Sequence, residues 1–141
     1  MNAAGLTLLK GFESCSLTAY WDSVGRVWTI GWGHTGPDVY EGLVWTQEQA
    51  DAMLERDLVA FCNQVQRLVG VVLTPNQFSA LVDFQYNTGA LGSSPGLALI
   101  NARQFEGAWD QHLCLYVDAG TPDEAGLTRR RQAEKALFFT T

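Results

Sequence analysis

Gly11-Phe12-Glu13-Ser14-Cys15-Ser16-Leu17-Thr18-Ala19-Tyr20-Trp21-Asp22-Ser23-Val24-Gly25-Arg26-Val27-Trp28-Thr29-Ile30-Gly31-Trp32-Gly33-His34-Thr35 is the stretch that decides the fold. Its first residues close a run in which Leu6, Leu9 and Phe12 share one face of a short helix over residues 2–12. Over residues 17–36 the chemistry changes: Thr, Tyr, Trp, Val and Ile dominate, broken by Gly25, Gly31 and Gly33. That pattern predicts a small antiparallel β element with tight turns.

Beyond this stretch the period becomes helical. Thr46 with Gln49 reads as a capping box, and Ala50, Met53, Leu54, Phe61, Val65 and Leu68 follow along one long helix. Thr74 as N-cap, Pro75 in the first turn and Gln77 three residues after the cap mark a second start. Phe78, Leu81, Val82 and Phe84 supply its buried stripe, and Gly89 a stop. Ser94-Pro95 opens a short helix near residues 97–101, Phe105, Trp109 and Leu113 mark another, and a last helix over 127–139 follows the polar loop 118–126. The predicted class is α+β, mostly helical with one small antiparallel β lobe near the N-terminus. The lobe is expected over about 14–45, a linking helix over about 46–70 and a helical lobe over about 71–141.

Length and composition bound the function. The 141 residues, 47% hydrophobic and 17% charged, fit one ordinary globular domain. No apolar stretch approaches the roughly 20 residues that cross a bilayer, and the first ten residues lack the basic start of a signal peptide. Synthesis in the cytoplasm without a membrane anchor is therefore expected. The formal charge of −6 argues against nucleic acid and anionic membranes as partners. Cys15, Cys62 and Cys114 show no C-x-x-C spacing and have only two histidines to join them. Buried free thiols are expected, with no metal site and no cofactor.

Glu13 and Asp22 are the candidate chemistry. Glu13 follows an apolar residue at the end of the first helix, where the negative end of the helix dipole and partial burial disfavour its charged form. A carboxyl held protonated can give a proton to a glycosidic oxygen. Asp22 falls at a strand-to-turn junction, where solvent keeps it ionised. Glycoside hydrolysis needs that division of labour between two carboxyl groups. Spacing alone favours a plainer reading, with Glu13 a surface acid and Asp22 a turn-former.

The stretch as a whole resembles the phage lysozyme family of glycoside hydrolases. That family carries a Glu, eight residues, an Asp, five residues, a Thr, then an Ile-Gly-x-Gly-His run. Glu13 to Asp22, Ala19-Tyr20-x-Asp22 and Thr29-Ile30-Gly31-Trp32-Gly33-His34-Thr35 match it. So do Leu73-Thr74-Pro75-Asn76-Gln77-Phe78-Ser79-Ala80-Leu81, Tyr86-Asn87-Thr88-Gly89 and Gly126-Leu127-x-Arg129-Arg130-Arg131-x-x-Glu134. Two departures stand out: six residues separate Asp22 from Thr29, and Ser14 stands where the family often has Gly. The resemblance implies a lysozyme-like fold whose substrate lies between the two lobes. It makes Glu13 the acid, Asp22 the stabilising carboxylate and Thr29 a holder of water. Tyr86 and Asn87 would touch substrate, Tyr20 and His34 would support the β element, and Arg130 would approach Glu13. The implied substrate is the peptidoglycan glycan strand, cut by a monomer for host lysis after a holin opens the inner membrane. A lytic transglycosylase and a catalytically inactive wall-binding module are the alternatives.

Overall fold

The computed structural model describes residues 1–141, and it is α+β: six α-helices and a three-stranded antiparallel sheet. In chain order these are α1 (Ala3–Phe12), β1 (Ser16–Asp22), β2 (Val27–Gly31), β3 (His34–Thr35), α2 (Gln47–Leu68), α3 (Pro75–Thr88), α4 (Gly96–Asn101), α5 (Phe105–Gln111) and α6 (Glu124–Phe138). Single 3-10 turns at Leu91–Ser93 and Leu113–Leu115 join the later helices. The chain divides into two compact units, one of residues 10–60 and one of residues 1–9 with 61–141.

In the first unit the strands run in the order β1-β2-β3. Tyr20 faces Thr29, Trp21 faces Trp28 and Asp22 faces Val27, so a four-residue turn, Ser23 to Arg26, closes the β1–β2 hairpin. The free edge of β1 is covered by residues 43–45: Ala19 N–H donates to the Leu43 carbonyl at 2.9 Å and Trp45 N–H to that of Leu17 at 2.8 Å. Ala19, Ile30 and Val39 form the unit's buried cluster, with Trp28, Leu43 and Trp45 packed on it. The predicted capping box at α2 is complete, Thr46 N–H to Gln49 Oε1 at 2.9 Å and Gln49 N–H to Thr46 Oγ1 at 3.2 Å.

In the second unit α3 packs on α6 and α4 on α5. Thr74 caps α3 reciprocally with Gln77, Pro75 occupies its first turn, and Gly89 ends it in the left-handed conformation at φ 64°. Leu81, Val82 and Phe84 are fully buried, as is Trp109, whose ring meets Phe84 and Phe138 edge-on at 6.4 and 5.5 Å. Edge-to-face pairs of this kind add about 0.5–1.5 kcal/mol each beyond the area they bury. The last helix begins at Glu124, three residues before the position its apolar period predicts, because the acidic Asp123-Glu124 start complements the helix dipole.

Candidate active site

Glu13 is the first residue after α1, and two residues carry the chain from it towards β1. Its side chain is half-buried. Asp22 ends β1, also half-buried, and its Oδ1 accepts the N–H of Val24 at 3.0 Å, so the turn itself holds the carboxylate. Cross-strand partners share a face and alternate residues in a strand share a face. Asp22, Val27, Tyr20 and Thr29 therefore lie on one face of the hairpin, with Asp22 and Thr29 as diagonal neighbours. Diagonal pairs stand roughly 7–8 Å apart. Thr29 is 4% exposed, and its hydroxyl donates to the Val27 carbonyl at 3.4 Å. Tyr20 is 46% exposed on the same face.

The six residues between Asp22 and Thr29 are the four of the turn and the first two of β2, Val27 and Trp28. The left-handed residue in the turn is Arg26, at φ 54°, while Gly25 lies outside that region. From the turn to Thr29 the pairing is regular, and the register shifts only beyond it, between Tyr20 and Ser16 on β1.

Behind the hairpin, two polar clusters brace the same unit. His34 on β3 meets Asp57 of α2 through Nδ1 at 2.8 Å and Asp38 through Nε2 at 3.0 Å. Burial pulls the imidazole pKa down, but hydrogen bonds and charge from Asp57 and Asp38 outweigh it and hold it above its ordinary value. Asp51 of α2 accepts from Trp32 Nε1 at 2.8 Å and Gln47 Nε2 at 3.0 Å, and pairs with Lys10 at 3.2 Å. The Trp32 hydrogen bond leads in holding the Asp51 carboxyl below the ordinary carboxylate range, followed by Gln47 and Lys10. Lys10 also lies 5.3 Å over the Trp32 ring. End of α1, turn 32–33 and start of α2 are thus tied at one carboxylate.

Tyr86, Asn87 and Arg130 belong to the other unit. The Tyr86 ring meets Phe61 edge-on at 5.1 Å, and Asn87 Oδ1 accepts from Arg131 Nη2 at 2.6 Å. Arg130 is 4% exposed and donates to Asp83 from Nε at 2.9 Å and Nη2 at 3.0 Å. Arg131 pairs with Glu134 at 2.8 Å and lies 5.0 Å over the Phe84 ring. Burial pushes the Glu134 carboxyl well above the ordinary range, reinforced by its hydrogen bond with Asp83. A 280 Å³ cavity lined by Asn87, Thr88, Tyr116, Asp118 and Leu127 opens beside Asn87.

The phage lysozyme family model matches residues 10–134, from the last turn of α1 to Glu134. The chain belongs to the phage lysozyme family. It is 38% identical to the endolysin of Bacillus phage B103 over 143 residues, which cover 99% of this chain and 54% of that protein. It is 41% identical to the endolysin of Lactococcus phage c2 over 140 residues, 95% of this chain and 58% of the other. The chain thus spans little more than half the length of these relatives. Among solved structures, the muramidase domain of SpmX from Asticaccaulis excentricus superposes with a TM-score of 0.88 at 36% identity, covering 99% of this chain and 97% of that one.

Within this phage lysozyme fold, sequence reasoning missed the charged core. The arginine run was not paired with Asp83, yet only Arg129 of the three is exposed. The signal lay in α3, where Asp83 interrupts the buried run Ala80-Leu81-Val82-Asp83-Phe84 and requires a cationic partner. The cysteines also depart from expectation: all three are free, but Cys15, Cys62 and Cys114 are half-buried rather than buried. Cys62 Sγ lies 3.5 Å from the N-terminal ammonium, and Cys15 Sγ 3.7 Å from Gln47 Nε2. No group of three or more His, Cys, Asp or Glu side chains converges as a metal site, and no helix is long and apolar enough to cross a membrane.

Proposed function

We propose that this chain is a muramidase that hydrolyses the β-1,4 bond between N-acetylmuramic acid and N-acetylglucosamine in peptidoglycan, for host lysis. The observation that carries the reading is the hairpin register, which puts Asp22 and Thr29 on one face of β1–β2 in a chain of the phage lysozyme family. Glu13 gives its proton to the leaving oxygen as the bond to the muramic C1 breaks. The carboxylate of Asp22 stabilises the positive charge that develops at C1. Asp22 and the Thr29 hydroxyl orient a water on the opposite face, whose oxygen bonds to C1 while its proton passes to Asp22 and then to solvent. Glu13 is reprotonated from solvent for the next turnover. Tyr86 and Asn87 contact the sugar, and Tyr20 and His34 support the hairpin. Residues 71–141 form the helical lobe in this division of labour. The enzyme works as a monomer, without cofactor, and reaches the wall from the host cytoplasm once a holin opens the inner membrane.

Digestion of purified peptidoglycan tests the reading through the product masses. Muramic reducing ends carrying one added water are expected. Anhydromuramic ends would make it a lytic transglycosylase, which uses one acid and no water, and intact glycan would leave a wall-binding module.

A further inference from the structure

We propose that Gly25 is a positioning residue for Asp22, acting through the side chain that it lacks. The proposal rests on the reading of Asp22 as a reacting carboxylate. A methyl group built on Gly25 would stand 2.9 Å from Asp22 Oδ2, 3.5 Å from its Cγ and 3.5 Å from Val27 Cγ1. Oxygen and carbon do not approach to 2.9 Å without one of them moving. Meanwhile Asp22 Oδ1 is held at 3.0 Å by the Val24 N–H. One carboxylate oxygen is therefore fixed by the turn backbone, and the other occupies the space that a side chain at position 25 would take.

The backbone gives no other reason for glycine at this position. The left-handed residue of the turn is Arg26, at φ 54°, which carries a full side chain, while Gly25 lies outside that region. Alanine is thus compatible with the local conformation, and at compatible sites it restricts the unfolded chain rather than straining the folded one. What must yield to the added methyl is the free end of a flexible side chain, the Asp22 carboxylate. The cost falls on the placement of a charge against the developing cation and on the water that it orients, and not on the fold. A displacement of about 1 Å at a reacting group can cost on the order of 10²-fold in rate.

Gly25→Ala, Ser23→Ala and Asp22→Asn are to be compared with the wild type on soluble purified glycan-strand fragments. Thermal melts and the amide spectrum are recorded for each. Ser23 is exposed in the same turn, and its alanine variant leaves the Val24 N–H that holds Asp22 in place. Gly25→Ala is expected to melt at or slightly above the wild-type temperature and to keep KM within twofold. It should lose roughly tenfold to a hundredfold in kcat, and the Val24 amide resonance should shift as its carboxylate partner moves. Ser23→Ala should match the wild type in kcat. The proposal is overturned if Gly25→Ala keeps kcat within twofold while Asp22→Asn is inactive. It is equally overturned if Gly25→Ala fails to fold or melts well below the wild type, since the backbone and not the carboxylate would then have given way. An active Asp22→Asn overturns the reading of Asp22 itself, and the role of Gly25 with it.

Discussion

Arg130→Ala tests the charged core of the helical unit. The substitution removes a guanidinium that is 4% exposed and holds Asp83 with two hydrogen bonds, at 2.9 and 3.0 Å. Asp83 is itself fully buried, so its carboxylate would be left without its bidentate partner and without water. Breaking a buried pair from one side costs about 3–5 kcal/mol. At about 2.1 cal/mol/K per residue, unfolding 141 residues carries an entropy of roughly 0.3 kcal/mol/K near 60 °C. The expected fall in Tm is therefore about 10–17 °C, a large part of the 5–15 kcal/mol that a domain usually has. Asp83→Asn placed in an Arg130→Met background removes both charges and should recover much of the loss, because the penalty belongs to the orphaned charge. Calorimetry at pH 7 measures both. A fall below about 3 °C for Arg130→Ala, or a double variant no more stable than the single one, would refute the reasoning.

His34→Gln should make stability less dependent on pH. The folded pKa of His34 is raised above 6.5, so its stabilising contribution is complete below that value and lost as pH rises through the folded value. Urea midpoints of the two chains should differ most near pH 6 and converge towards pH 9; a constant gap would contradict this. Glu134, raised in the same direction, is present in both chains and cancels. Thr74→Ala should cost about 1 kcal/mol by removing the α3 cap, read from the same midpoints, and an unchanged midpoint would show the cap to be idle. The first-formed sugar product, followed by NMR, should be the inverted α-anomer, with the two carboxyl groups about 6.5–9.5 Å apart in the substrate complex. A β-anomer would mean a covalent intermediate on Asp22, and Thr29→Ala with unchanged rate would reduce the threonine to a strand residue.

Local chemistry was legible in the sequence wherever one turn of chain decides the structure. Thr74, Pro75 and Gln77 satisfy the first N–H groups of α3 among themselves, and Gly89 alone can take the left-handed cap without strain. The hairpin was legible too, because strand alternation fixes which residues share a face once the turn length is known. What stayed hidden depends on partners distant in sequence. Leu43-Val44-Trp45 is too short a run to read as a strand by itself, and the open edge of β1 recruits it. Arg130 and Arg131 meet Asp83 and Asn87, 47 and 44 positions away, only once α6 packs on α3. The exchange of roles at the turn, with Arg26 left-handed and Gly25 making room, follows from where the Asp22 carboxylate lies, which no spacing rule specifies.

The central claim is tested most directly by Glu13→Gln, assayed for release of muramic reducing ends from purified peptidoglycan alongside its melting temperature. The amide fills the same space but has no proton to give to the leaving oxygen. General acid catalysis is worth about 10²–10⁴-fold, so a correctly folded variant with less than about a hundredth of wild-type activity is predicted. Retention of more than about a tenth of that activity, in a chain that melts like the wild type, would contradict the assignment of Glu13 as the acid.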